Sequence, residues 1–408
     1  MDRLRPGVHA APDAIATIEE TSNAMTLTVE HIQAAFAKDE QRKGRKLTTT
    51  QDLPLRYEDL TVEWLTDALC SRHRGAAVTS FELLTPDSGS SNRCRIRLAY
   101  NEAGRAAGLP PAVFCKATQG LANRVVLGIS QGSYIEALFY NEIRPHLDIE
   151  APVSWFAKFD PETFNSIIML TDLTDSVTSF CSHQTEMTRA RVESEVRLLA
   201  TLHGQSYRKP ELEAALAKVP TWPEYFINTH KFGIEQGSNN GFLAAKEVLP
   251  TRLYQRYPEI WPATMASVMR HDQLPLAFAH GDVHLKNWYI AGNGEMGLGD
   301  WQCASRGHWS RDLCYAIATA LTVENRRAWE KELIALFLDE LARHGGAVMD
   351  FETAHKHYRE QLLTALTWWT ITLSPAPDMP DMQPRDITLE FIRRIGTAMD
   401  DLDALDVW

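Results

Sequence analysis

One short run holds the residue types that phosphate transfer uses. HGDVHLKN places His280, Gly281, Asp282, His284 and Asn287 within eight positions, and Asp300 follows in GLGDWQ, eighteen residues after Asp282. Attack of a hydroxyl on a nucleotide γ-phosphate needs a carboxylate to take the hydroxyl proton, and oxygen ligands that hold Mg²⁺ on the phosphates. Asp282 suits the first role; Asn287 and Asp300 suit the second. The run permits a rival chemistry. On a strand, His280, Asp282 and His284 would point to one side at period two, as the ligands of a metal-dependent hydrolase or oxygenase do. No further His/Asp cluster completes a two-metal set, whereas phosphoryl transfer also uses Asn287 and Asp300.

Asn287 and Asp300 stand thirteen residues apart and must be brought together. NWYI, AGNGE and MGLGD read as two short strands joined by a turn at Asn293-Gly294, a strong hairpin signal. Folding that hairpin returns Asp300 to Asn287, with Asp282 held nearby by the short catalytic loop.

Upstream, FELL, PDSGSSN and RCRIRLAY read as a strand pair: Cys94, Ile96, Leu98 and Tyr100 alternate with Arg93, Arg95 and Arg97. The turn between them is rich in small residues, and the backbone at Ser90, Ser91 and Asn92 could approach phosphate oxygens. A third strand, PAVFCKAT, ends on Lys116, costly to bury unless paired. A helix expected from about Ser133 to Arg144, stopping before Pro145, offers two acidic partners. Helical projection puts Glu142 near the centre of the apolar face and Glu136 at its edge. SIIMLTDL reads as a buried strand leaving its sheet at Leu170 to Asp172. Before all of these, Thr61 is expected to cap a helix burying Trp64, Leu65, Ala68 and Leu69.

HGDVHLKN resembles the H-G-D-x-H-x-x-N motif of the aminoglycoside phosphotransferase and choline kinase-like enzymes, distant relatives of protein kinases. The Asp-Trp-Gln at 300–302 looks most like the ecdysteroid kinase-like branch. The resemblance spans about residues 55 to 405. It implies an α+β, two-lobed protein-kinase-like fold: a small antiparallel sheet lobe at 53–172 and a larger helical catalytic and substrate-binding lobe at 173–408, with 1–52 as an N-terminal extension. It also implies ATP and Mg²⁺ as cofactors, Lys116 on the α- and β-phosphates steadied by Glu136 (favoured by the EALFY pattern), and an adenine-contacting hinge at Leu170 and Asp172. The acceptor would be a small-molecule hydroxyl, a hydrophobic alcohol ahead of an antibiotic or choline. Trp222, Tyr225, Trp288, Trp301, Trp309 and Trp368 are candidates to line its site, and the acidic DDLDALD could supply charge for an amine. His280 and His284 are expected to shape the loop, His203 to pack, and Asp312 to complement the N-terminus of its own helix. Lys116, Asp282, Asn287 and Asp300 are all present, so nothing marks the chain as a nucleotide-binding protein without catalysis.

The bulk numbers fit. A chain of 408 residues exceeds what one core usually serves, and 44% apolar with 23% charged content is ordinary for a globular protein. Forty-one basic against 53 acidic residues give a net charge of −12, which argues against nucleic acid as partner. The six cysteines, without a C-x-x-C pair, suit a reducing cytoplasm, and no run is apolar enough for a signal peptide or a membrane helix. Neither a P-loop nor a G-x-G-x-x-G after a strand occurs.

Overall fold

Alternation in RCRIRLAY does what its period demands. Cys94, Ile96, Leu98 and Tyr100 are buried on one face of the sheet, while the arginines between them take the other face. The computed structural model of the chain describes residues 27–207, 209–230, 233–375 and 382–408. The opening MDRLRPGVHAAPD lies outside the described residues.

The small lobe is an antiparallel sheet of β1 (Val78–Ser88), β2 (Asn92–Tyr100), β3 (Ala112–Ala117), β4 (Ser154–Asp160) and β5 (Asn165–Thr171), in the order β1-β2-β3-β5-β4. Its helices are α1 (Val29–Glu40), α2 (Val62–Cys70), α3 (Glu102–Ala106), α4 (Leu121–Ile129) and α5 (Gly132–Leu138). Thr61 caps α2 as expected, accepting from the Trp64 N–H at 3.0 Å, and Trp64, Leu65, Ala68 and Leu69 are buried under the sheet. The stretch expected to be an extension carries α1, which docks on α4.

The expected helix over 133–144 has a different shape. After Leu138 the chain makes a π-turn, Phe139–Ile143, then a 3₁₀ turn, Arg144–His146, that accommodates Pro145. A π-turn inserts one residue and rotates everything after it, so projection on a regular α-helix misplaced Glu142. Glu136 is 1% exposed, whereas Glu142 lies at the surface against Lys218.

The larger lobe is helical. It holds α6 (Arg189–Ser206), then α7 to α11 (Pro210–Leu216, Trp222–Thr229, Ile234–Ala244, Thr251–Gln255 and Tyr257–Met269). It ends with α12 (Trp309–Ala320), α13 (Val323–Arg343), α14 (Phe351–Leu373) and α15 (Arg385–Asp401). Short strands carry the HGDVHLKN run and Asp300: β7 (Ala277–Ala279) pairs with β10 (Ser305–Gly307), and β6 (Val177–Phe180), β8 (Trp288–Ala291) and β9 (Met296–Leu298) form a second sheet. Val192, Val196, Leu199 and His203 make one fully buried stripe on α6. A large core runs through this lobe and takes in Ile135, Leu138 and Phe139, so α5 is packed as much on the helical lobe as on the sheet. This is the two-lobed kinase-like fold. Among the described residues, no helix is long and apolar enough to cross a membrane.

Candidate active site

The catalytic loop begins where β7 ends. Gly281 has φ +84°, and a Cβ there would lie 2.2 Å from the Cys303 carbonyl oxygen, so only glycine lets the chain turn this close to the following loop. Its amide and that of His280 both donate to the Asp312 carboxylate, at 3.0 and 2.7 Å. Asp312 stands in the first turn of α12 as expected, and its carboxylate does more than complement that helix. It reaches from the first turn of α12 to two otherwise unsatisfied amides of the loop. Burial would raise its pKa, but His203 at 3.2 Å, Arg311 and His280 outweigh that and hold it at about 2. His203 is thus a packing residue with a defined partner.

His280 locks the loop to the hairpin. Its Nδ1 accepts from the Asp282 N–H at 3.2 Å while its Nε2 donates to the Gly299 carbonyl at 2.9 Å. That pattern requires a neutral ring, and burial lowers its pKa in agreement. Both ring nitrogens are committed, so His280 cannot ligate a metal alongside Asp282 and His284. The three residues also lie beyond the end of β7, and no cluster of three or more His, Cys, Asp or Glu side chains suited to a metal occurs among the described residues. The geometry does not support the hydrolase or oxygenase reading.

The Asp282 carboxylate receives the Tyr315 hydroxyl at 3.1 Å and the Asn287 amide nitrogen at 3.3 Å, with His284 Nε2 3.5 Å away. Burial pushes its pKa up, but His284, His280 and Tyr315 together hold it below the ordinary value. It is therefore an ionised acceptor at neutral pH. Tyr315, kept protonated by burial and by Asp282 itself, was not singled out from the sequence. It stands three residues after Asp312 on the same helix face, so recognising Asp312 as a loop anchor would have pointed to it.

The hairpin forms as its turn residues require, with Gly294 at φ +88°. At its base the Gly299 N–H donates to the Asn287 carbonyl at 2.9 Å. Asp300 then adopts φ +65°, a left-handed conformation uncommon outside glycine, which turns its side chain back into the cleft. There Lys116 Nζ lies 2.8 Å from Asp300 and 2.7 Å from Glu136. Burial would lower the Lys116 pKa, but Asp300 and Glu136 overcome it and hold it above its ordinary value. A Mg²⁺ ion fits this donor set. The Asn287 amide nitrogen donates to the Asp282 carbonyl at 2.7 Å, which leaves its side-chain oxygen as the available donor. The Asp300 side chain, 42% exposed, offers a second hard oxygen.

The β1–β2 turn closes over this cluster. Ser90 Oγ meets Gln302 Oε1 at 3.1 Å, two residues beyond Asp300. Asn92 is occupied in structure, its Oδ1 accepting from Gln119 N–H at 2.8 Å, and Ser91 is buried with its carbonyl bound to the Gly89 amide at 2.9 Å. At the expected hinge, Leu170 is paired with both Phe114 and Ser154, one residue before β5 ends at Thr171. Asp172 uses its side chain to hold Arg95 at 2.7 Å and Thr174. Burial would raise the Asp172 pKa, yet Thr174 and Arg95 hold it below the ordinary value.

Several residues read as acceptor candidates lie in the core. Trp222, Tyr225, Trp288, Trp301 and Trp309 are all buried, Trp301 stacking on Phe139 at 3.8 Å, and only Trp368 is partly open. The acidic C-terminal stretch is likewise committed: Asp400 and Asp403 pair with Arg252, Asp401 with Arg326 and Arg327, and Asp406 with Arg256.

Over residues 173–375 the chain matches the model of the phosphotransferase enzyme family. Among solved structures, a Ralstonia eutropha protein assigned as an aminoglycoside phosphotransferase superposes on this chain with TM-score 0.50 at 12% identity, covering 84% of this chain and 97% of that one. Plasmodium vivax ethanolamine kinase gives 0.49 at 11% identity over 92% and 96% of the two chains. For choline kinase from Streptococcus pneumoniae the values are 0.44, 12%, 83% and 98%. At 12% identity the likeness to the Ralstonia eutropha protein is one of fold. No curated protein matches the chain.

Proposed function

We propose that this protein is a phosphotransferase that moves the γ-phosphate of ATP to a hydroxyl of a small molecule. One observation carries the reading: an ionised Asp282 shares a cleft with Asn287, Asp300 and the Lys116–Glu136 pair. Asp282 orients the acceptor hydroxyl and takes its proton as the new oxygen–phosphorus bond forms and the bond to the ADP oxygen breaks. Tyr315 and His284 fix the direction in which that carboxylate points. Lys116, now held by Asp300, is placed to meet the phosphates, and Glu136 keeps it there. Mg²⁺, bound by Asn287 and Asp300, would neutralise charge on the phosphate oxygens.

A cavity of about 460 Å³ between the end of α14 and the start of α15 supports a small-molecule acceptor. Thr372, Leu373, Gln383 and Thr388 line it. Gln383 bonds to Lys286 of the catalytic loop. One helical turn from the cavity, Trp369 and Phe391 pack on His284, at 5.2 and 6.2 Å. The acceptor would thus sit beside Asp282.

The test is ADP release by purified protein with ATP and Mg²⁺ against a panel of hydrophobic alcohols, antibiotics and amino alcohols. Acceptor-dependent release is expected, falling by about 10²-fold or more in Asp282→Asn. Tight retention of iron or zinc with no nucleotide-dependent turnover would favour the rival metal-site reading.

A further inference from the structure

The most fully buried guanidinium of the small lobe lies outside the catalytic cluster. Arg124, on α4, is 0% exposed and ties three segments together. Its Nε donates to the Thr118 carbonyl and its Nη1 to the Thr163 carbonyl, each at 3.0 Å, and Nη1 lies 2.6 Å from Asp39. Asp39 is 1% exposed near the C-terminal end of α1, where Arg42 approaches it at 3.4 Å from the solvent side. The rest of the α1 face is built for this contact. Phe36 lies under the Arg124 guanidinium at 4.9 Å, and Ile32 rests on Gly128, where a Cβ would come within 2.8 Å of the Ile32 side chain. Two charges this deep are costly to bury, and removing Asp39 takes from Arg124 the carboxylate 2.6 Å from it.

What α4 holds explains why that pairing matters. Asn123, the neighbour of Arg124, donates its side-chain amide to the carbonyls of Gly89 and Ser90, both at 2.9 Å. Ser90 in turn meets Gln302 beside Asp300. By a second route, the 118–120 segment that Arg124 anchors supplies the Gln119 amide to Asn92 at the other end of the same turn. We infer that α1 is a positioning strap: through Asp39 and Arg124 it fixes α4, so that Asn123 holds the β1–β2 turn over the nucleotide phosphates. The inference rests on the nucleotide reading above but concerns residues before the segment that matches the family. Asp39, Arg124 and Asn123 touch no reacting atom; they set the position of a loop that does.

The test is Mg·ADP binding to the full chain, by titration calorimetry, for wild type, Asp39→Asn, Asn123→Ala and the double variant. Each single substitution is expected to weaken binding by about tenfold, as a coupling of ordinary size requires, and the double by less than the product of the two. Asp39→Glu should recover much of the loss. Asn123→Ala leaves α1 and Arg124 in place, so it tests the loop contact even if Asp39→Asn does not fold. Wild-type affinity in Asn123→Ala would overturn the strap. So would an Asp39→Asn variant that melts earlier yet binds Mg·ADP unchanged. No Mg·ADP binding by wild type would instead overturn the nucleotide reading, and the strap with it.

Discussion

The two sides of the cleft are held by different means. On the large-lobe side the catalytic loop is fixed by buried groups: Asp312 holds two consecutive amides, His280 spends both ring nitrogens on backbone, and both are essentially unexposed. On the small-lobe side the β1–β2 turn, proposed to lie over the phosphates, hangs from half-open contacts to Asn123, Gln119 and Gln302. Chemistry needs a carboxylate that does not move, while nucleotide exchange needs a flap that can lift. The rigid half is where a substitution should cost both fold and turnover; the other half should show itself in nucleotide affinity.

Asp312→Asn breaks the rigid side most severely. It leaves the amides of His280 and Gly281 short of an anionic acceptor, with an expected loss of about 3 kcal/mol in stability and of most activity, read by denaturant unfolding and ADP release. The sign with pH is set by its folded-state value of about 2 against an ordinary 3.8. Its contribution is complete above 3.8 and lost as pH falls towards 2, so wild type should lose stability in that window and Asp312→Asn much less. Tyr315→Phe is gentler. It removes a donor that helps hold Asp282 ionised, so turnover should fall by about tenfold and the acid limb of kcat/KM should move to higher pH.

On the small-lobe side, Glu136→Gln should raise the KM for ATP by about tenfold or more, since a buried Lys116 loses one of its two counter-charges and is left to Asp300 alone. Glu142→Gln supplies the smallest effect: its exposed pair with Lys218 should be worth less than about 1 kcal/mol and leave KM unchanged. Equal effects of these two substitutions would erase the distinction between them.

Legibility in the sequence followed the range of the forces involved. The hairpin from Asn287 to Asp300 was readable because Asn293-Gly294 is a local turn signal. The β2 alternation was readable because period two needs no partner. The Lys116–Glu136 pair came from a family pattern, since projection favoured Glu142 until a π-turn rotated it outward. Long-range side-chain bonds left the least trace. Tyr315 lies 33 residues from Asp282, and Asp39 pairs with an arginine on a helix that no local pattern joins to α1. The tryptophans near the active site looked like a substrate platform because core and pocket draw on the same residue types; burial separates them.

The central claim is that Asn287 and Asp300 share one divalent cation beside Asp282. Mn²⁺ binding, followed by electron paramagnetic resonance with a non-hydrolysable ATP analogue, tests it most directly in wild type, Asn287→Ala and Asp300→Ala. The account expects one tightly held Mn²⁺ in wild type and weakening by at least about tenfold in each variant. Mn²⁺ affinity unchanged in either variant, with the nucleotide analogue still bound, would contradict it.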